Sequence, residues 1–308
     1  MTSLIFLGAL IAPLFYAMNN HIDKVLLEKY FKDEGGVGTL MMFSSLLSAA
    51  ILPILLYIEP AAMQIGVVEA VTLIFVGFLN IVLLWCYLKA MDDEEPTVVI
   101  IFYQLVPAIG LFLGYVVLDE MVSVTQLVAM VLVIAGASVM TIASDSDGKF
   151  TIKFKTLGYM LIASFCWAGE STLFKMVALE ENVIRSLFWE NLSLASFGIV
   201  MFVLLPSYRK NFMAVFRSNS KRVISINVFN EVTYMAGNAA ASIMVVKILV
   251  GINLMMNSFQ PLFVFVIGLV LNKFCPGIAT ESSGGRIWQK VIAIILTGAG
   301  VYLIGDWE

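Results

Sequence analysis

Charge is scarce in this chain. Asp, Glu, Lys and Arg make up only 13% of its 308 residues, against about 25% in soluble domains, so few ionised groups remain to clothe a water-facing surface. Histidine is nearly absent, with His21 alone, and no G-x-x-x-x-G-K-[ST] run occurs. Those two absences argue against a metalloenzyme and an ATPase, and no cofactor or metal is expected. The three cysteines, Cys86, Cys166 and Cys275, are scattered without ligand spacing and read as small apolar packers. No nucleophile–base set stands out, so no enzyme is expected, and nothing in the chain asks for a nucleic-acid partner. The opening Met1-Thr2-Ser3 has no basic residue and no A-x-A-like cleavage site follows, so the first apolar stretch reads as an uncleaved span rather than a signal peptide.

What the chain has in abundance is apolar sequence, at 60%, in runs that reach the roughly 20 residues a bilayer crossing takes. Hydrophobic patterning predicts an all-α polytopic membrane protein of ten transmembrane helices. They cover about 3–22, 36–58, 66–90, 96–118, 124–143, 155–178, 182–205, 222–246, 249–271 and 287–305. The connections are short except 145–155, 207–221 and 272–286.

The pattern also occurs twice. Leu10 through Ala17 aligns with Leu161 through Ala168 at a spacing of 151, which Lys24 and Lys175 keep. Pro107 and Gly114 match Pro261 and Gly268 at 154, and Gly136 matches Gly300 at 164. Longer loops in the second copy account for the drift. The division expected is 1–145 and 146–308, each a five-helix repeat. An odd number of spans makes the second copy enter from the opposite side, giving inverted repeats around a central cavity, the plan of many secondary transporters. The positive-inside rule gives orientation. Fifteen Lys and Arg fall on one side and three, Lys175, Arg185 and Lys247, on the other. The rich side is assigned to the cytoplasm of a plasma (inner) membrane, and both termini to the far side.

Certain segments carry a resemblance. Tyr16-Ala17 with Lys24, Tyr87-Leu88-Lys89-Ala90 with Pro107, Leu118-Asp119-Glu120 with Gln126, Trp167-Ala168 with Lys175, and Gln260-Pro261 together resemble the EamA-type domains of the drug/metabolite transporter superfamily. The resemblance covers almost the whole chain. It implies a basket of ten helices around a cavity, no nucleotide hydrolysis, and export of amino acids or other small metabolites. The Asp119-Glu120 mark becomes Asn272-Lys273 in the second copy, so that corner need not work symmetrically.

Ionisable residues within a span are costly, about 2.5–3.5 kcal/mol at a helix centre, and therefore informative. Glu170, Glu190 and Glu231 lie on the order of 12–15 Å from the nearer span ends. Their counterparts Asn19, Thr39 and Ile81 are uncharged. They either face a cavity or pair with Lys175, Arg185 or Lys247. In the eighth span Asn227, Glu231, Tyr234 and Asn238 fall on one face, and in the ninth Asn253, Asn257 and Gln260 repeat i, i+4, i+7. Such stripes line a wet cavity or glue helices together at about 1 kcal/mol per contact. The first half adds Asn19, Asn80, Tyr16, Tyr87, Tyr103 and Gln104, and Asn80 matches Asn230, which flanks the stripe of the eighth span. Tyr16 and Trp167 pair across the repeat, one turn before Asn19 and Glu170, and an aromatic beside a carboxylate suits an ammonium group. Lys24 and Lys175 are expected to snorkel toward headgroups, and His21 with Asp23 to form an interfacial cluster. The acidic run Asp92-Asp93-Glu94-Glu95 reads as a solvated helix start. With no Lys or Arg between 248 and 272, the ninth span offers no phosphate anchor.

The expected function is secondary transport of a small cationic or zwitterionic solute, an amino acid or amine, with Glu170 and Glu231 as proton-coupling candidates. A lipid or headgroup flippase and a non-transporting scaffold or receptor are the alternatives. The expected partners are that solute and the lipid bilayer; a monomer suffices, and oligomers stay open.

Overall fold

The computed structural model describes residues 8–31, 36–94, 96–121, 123–144, 150–152, 154–218, 221–274 and 287–304. The Met1-Thr2-Ser3 start, Glu95, Cys275 and most of the long 272–286 connection lie outside the described residues. Nearly all that is described is helix. Helix α1 (Ile11–Val25) runs on as one π-helical stretch, Leu26–Tyr30. Helix α2 (Gly36–Leu47) passes through a 3-10 turn at Ser48–Ile51 into α3 (Leu52–Ile58). Then come α4 (Val67–Asp93), the broken pair α5 (Pro96–Phe102) and α6 (Leu105–Leu118), and α7 (Val124–Thr141). A hairpin of β1 (Ile142–Ser144) and β2 (Phe150–Ile152), paired antiparallel, leads into α8 (Phe154–Glu180). The second half continues with α9 (Val183–Leu204), α10 (Pro206–Ser218) and α11 (Lys221–Val245). A second broken pair, α12 (Val250–Met256) and α13 (Gln260–Phe274), is joined by a 3-10 turn at Asn257–Phe259, and α14 (Ile287–Ile304) closes the chain.

Among the described residues, four stretches are long and apolar enough to cross a membrane by themselves: Gly36–Ile58, Val67–Asp93, Val183–Leu204 and Val250–Phe274. Helices α8 and α11 have the length, at 27 and 25 residues or about 40 Å of rise, but are diluted by polar residues such as Glu170 and Glu231. The two broken pairs occupy corresponding positions of the halves, breaking at Tyr103-Gln104 and at Asn257–Phe259, 154 residues apart, each a few residues before the matching Pro107 and Pro261.

Packing follows a reciprocal scheme. Helix α4 lies on α8 as α11 lies on α1, and α6 contacts α8 as α13 contacts α1. Counterparts also pair with each other, α2 with α9 and α7 with α14, while α6 meets α12 as α13 meets α5. Close crossings need small residues. A Cβ added to Gly198 of α9 would sit 2.8 Å from Ser45 Cβ and 3.0 Å from its backbone carbon on α2. At Gly110, the first glycine of the G-x-x-x-G pattern, a Cβ would run into Leu254, so α6 and α12 meet there.

The expected loop at 207–221 is instead largely the helix α10. Pro206 suits a helix start, and Tyr208, Phe212 and Val215 recur at i, i+4 and i+7, a stripe that docks on the core. Phe212 packs 4.8 Å from Phe43 and 6.2 Å from Phe202, while Arg209, Lys210 and Arg217 stay exposed.

Candidate functional site

The C-terminal half of α1 is polar over most of its circumference. Asn19, Asn20, His21, Asp23 and Lys24 are all buried, which a helix tolerates only when protein surrounds it and supplies partners. The partners come from the opposite half of the chain. Asn19 Nδ2 donates to the Asn230 carbonyl at 2.6 Å and to Asn230 Oδ1 at 2.7 Å. Asn230 Nδ2 in turn donates to Asp23 Oδ1 at 2.7 Å, and Tyr87 Oη donates to Asp23 Oδ2 at 2.8 Å. Asn20 donates to Tyr87 Oη at 2.8 Å and accepts from Gln260 Nε2 at 2.7 Å. A ring nitrogen of His21 meets the Val264 carbonyl at 2.8 Å.

This network borders a cavity of about 100 Å³, room for several waters or a small solute. Its lining includes Tyr16, Asn19, Asn80, Tyr103, Trp167, Glu170, Glu231, Tyr234, Asn238 and Gln260, all singled out from sequence. A smaller cavity of about 30 Å³ shares Tyr16, Trp167, Glu170 and Asn238 with the first and adds Glu190, Asn253 and Asn257. Gln104 and Asn227 line neither cavity. Gln104 sits buried at the break before α6. Asn227 donates back to the Val223 carbonyl of its own helix at 2.9 Å, about one turn beyond Asn230 and Glu231, where the lining on α11 begins.

Among the described residues, no lysine or arginine pairs with Glu170, Glu190 or Glu231. Glu231 Oε1 accepts from Ser44 Oγ at 2.5 Å and Glu190 Oε1 from Asn238 Nδ2 at 3.3 Å. Glu170 Oε2 and Glu190 Oε2 are buried without a hydrogen-bond partner. No lysine or arginine lines either cavity among the described residues. Arg185 is engaged elsewhere, with Glu181 at 2.9 Å and Glu59 at 3.6 Å. The aromatic wall is a chain of rings: Tyr16 lies 5.9 Å from both Trp167 and Tyr234, and Tyr103 packs edge-on to Trp167 at 4.8 Å.

The two lysines at matching positions do not snorkel. Lys175 is buried, with its Nζ 2.6 Å from Glu120 Oε1 and 2.7 Å from the Ile248 carbonyl. The Asp119-Glu120 mark explains how. Asp119 adopts a left-handed conformation at φ 53°, which Asp tolerates better than most residues. That turn brings Glu120 to α12, where it also accepts the Val250 N–H at 3.0 Å. Lys24 is buried too, donating to the Met91 carbonyl at 2.8 Å and pairing with Glu28 at 3.2 Å. Nor is Asp23 interfacial, since it lines the larger cavity. Of the acidic run, Asp92 and Asp93 stay at the surface, where Asp93 pairs with the exposed Lys155 at 2.7 Å.

Residues that sequence reasoning passed over line the cavity as well, namely Asn20, Ser44, Ser48 and Asn191, and so does Asp23, expected in an interfacial cluster. A signal existed for some. Tyr16, Asn20 and Asp23 fall at i, i+4 and i+7, and Ser44 and Ser48 at i and i+4. Asn191 offers no such periodicity.

Comparison with known proteins bears on this site. Residues 3–142 match the EamA-like transporter family. A solved structure titled "Crystal structure of protein" shares the fold, with a TM-score of 0.61 at 14% identity, covering 98% of this chain and 95% of the other. No curated protein matches. Over residues 3–142, then, the chain is similar to the EamA-like transporter family, and along nearly its whole length it shares the fold of that solved structure.

Proposed function

We propose that this protein is a secondary transporter of a small cationic or zwitterionic metabolite, an amine or an amino acid, moving it by alternating access between two inverted five-helix repeats, 1–145 and 146–308. The observation that carries the substrate class is the lining itself. Asp23, Glu170, Glu231 and, through the adjoining cavity, Glu190 put carboxyl groups into a space that no lysine or arginine enters among the described residues. Buried carboxylates without counter-charge are costly, and a cationic group of the solute relieves that cost. The reciprocal packing of α4 on α8 and α11 on α1, and of α6 on α8 and α13 on α1, supports an inverted repeat with ten crossings. So do the helix breaks at Tyr103-Gln104 and Asn257–Phe259, since interrupted helices in matching positions mark transporter sites. Export is proposed on the family resemblance alone, and the plasma (inner) membrane as location. Glu170 and Glu231 are the proposed proton carriers, because a side chain that binds the cation in one state is free to take a proton in the other.

In proteoliposomes loaded with candidate amines and amino acids, Glu231→Gln should abolish transport or detach it from a pH gradient. Gln keeps an acceptor for Ser44, so folding and yield should stay normal. Wild-type rates in Glu231→Gln at several pH values would overturn the reading.

A further inference from the structure

We infer that the solute is a dication, a short aliphatic α,ω-diamine held with one ammonium group at each end of the cavity. This rests on the cationic reading above and adds the number and spacing of the charges. The carboxylates form two groups, marked out by two asparagines of α11. At one, Asn230 donates to Asp23 at 2.7 Å and the adjacent Glu231 accepts from Ser44 at 2.5 Å. At the other, Asn238 donates to Glu190 at 3.3 Å, and Glu170 joins Glu190 in lining the smaller cavity. Asn230 and Asn238 belong to one unbroken helix, so these two anchors of the poles stand eight residues, about 12 Å, apart along its axis, with Glu170 bordering both cavities between them. An N–H···O bond of about 2.9 Å at each end leaves roughly 6 Å between two nitrogens, the reach of a short extended chain.

Two independent observations point to a ligand rather than to a mere acidic cluster. Glu170 and Glu190 are 8% and 3% exposed, and each has a buried Oε2 without a partner. Between the poles the wall is aromatic, with Tyr234 on α11 between the two asparagines and 5.9 Å from Tyr16. Ring faces accept methylenes and draw ammonium groups. A monoamine satisfies one pole and leaves the other without counter-charge, whereas a diamine meets both.

Full-length protein in nanodiscs, titrated calorimetrically with putrescine and with n-butylamine, tests this. Putrescine should bind at least about tenfold more tightly, the worth of one further charge-assisted hydrogen bond. Glu190→Gln should weaken putrescine more than n-butylamine and bring the two affinities close together. Asp23→Asn, at the opposite pole, should do the same and serves if the first variant folds poorly. Equal affinities for the two amines overturn the diamine inference and leave the cationic reading standing. Binding of neither amine, with thermal stabilisation by an anion such as succinate instead, overturns both. Putrescine binding unaffected by either variant also overturns the two-pole inference.

Discussion

Truncating Lys175 separates a buried ion pair from a snorkelling lysine. The Lys175 and Glu120 side chains are only 9% and 10% exposed at a separation of 2.6 Å, and Lys175 also donates to the Ile248 carbonyl. Removing one member of a buried pair costs about 3–5 kcal/mol, much of it from the abandoned partner. Glu120 would keep the Val250 N–H, so Lys175→Met should fall near the low end, about 3 kcal/mol. Lys24→Met at the matching position loses a bond to a carbonyl and a pair with the half-exposed Glu28, worth about 1.5–2 kcal/mol together. Unfolding in mixed detergent micelles, followed by tryptophan fluorescence, gives the order. A double-mutant cycle with Glu120→Gln isolates the pair, with a coupling of about 2 kcal/mol expected. Coupling below about 0.5 kcal/mol, the level of an exposed pair, or a larger loss in Lys24→Met than in Lys175→Met, would refute the reasoning.

Three further outcomes follow from contacts described above. Asn257 has a buried Oδ1 without a partner, so Asn257→Leu should leave the ligand-free melting temperature nearly unchanged while abolishing stabilisation by the best amine. Asn19→Leu, which strips two bonds to Asn230, should by contrast cost about 1 kcal/mol or more, and equal melting temperatures for the two variants would contradict the assignment. Gly198→Ala forces a Cβ against the Ser45 backbone and should cost about 1–3 kcal/mol as an overpacked crossing, whereas an unchanged melting curve would show that α2 and α9 can part freely. For topology, Arg217→Cys in a background lacking the native cysteines should resist an impermeant maleimide applied to intact cells and react after lysis; labelling from outside would reverse the proposed orientation.

What the sequence determined by itself is whatever depends on local period and composition. Long apolar runs placed the helices within a few residues of those found, because backbone groups in hydrocarbon have to bond within their own segment. Period 3.6 put Glu231, Tyr234 and Asn238 on one face, and the cavity lies on that face. The same period was readable in Tyr208, Phe212 and Val215, yet charges around them made α10 look like loop. Pro107 and Pro261 recur at matching positions, yet 96–118 and 249–271 each read as one span, and the breaks at Tyr103-Gln104 and Asn257–Phe259 belong to the fold. Tertiary structure alone decided what each polar group touches. Lys175 finds Glu120 55 residues away and Asp23 finds Asn230 207 residues away, distances over which no periodicity carries information. For the same reason Asp23 reads as interfacial in sequence and is buried in the fold, while Asn227 shares a stripe with Glu231 and misses the cavity. In a medium without water, a polar side chain's environment is set by whichever remote helix packs beside it, and that is a property of the assembled bundle.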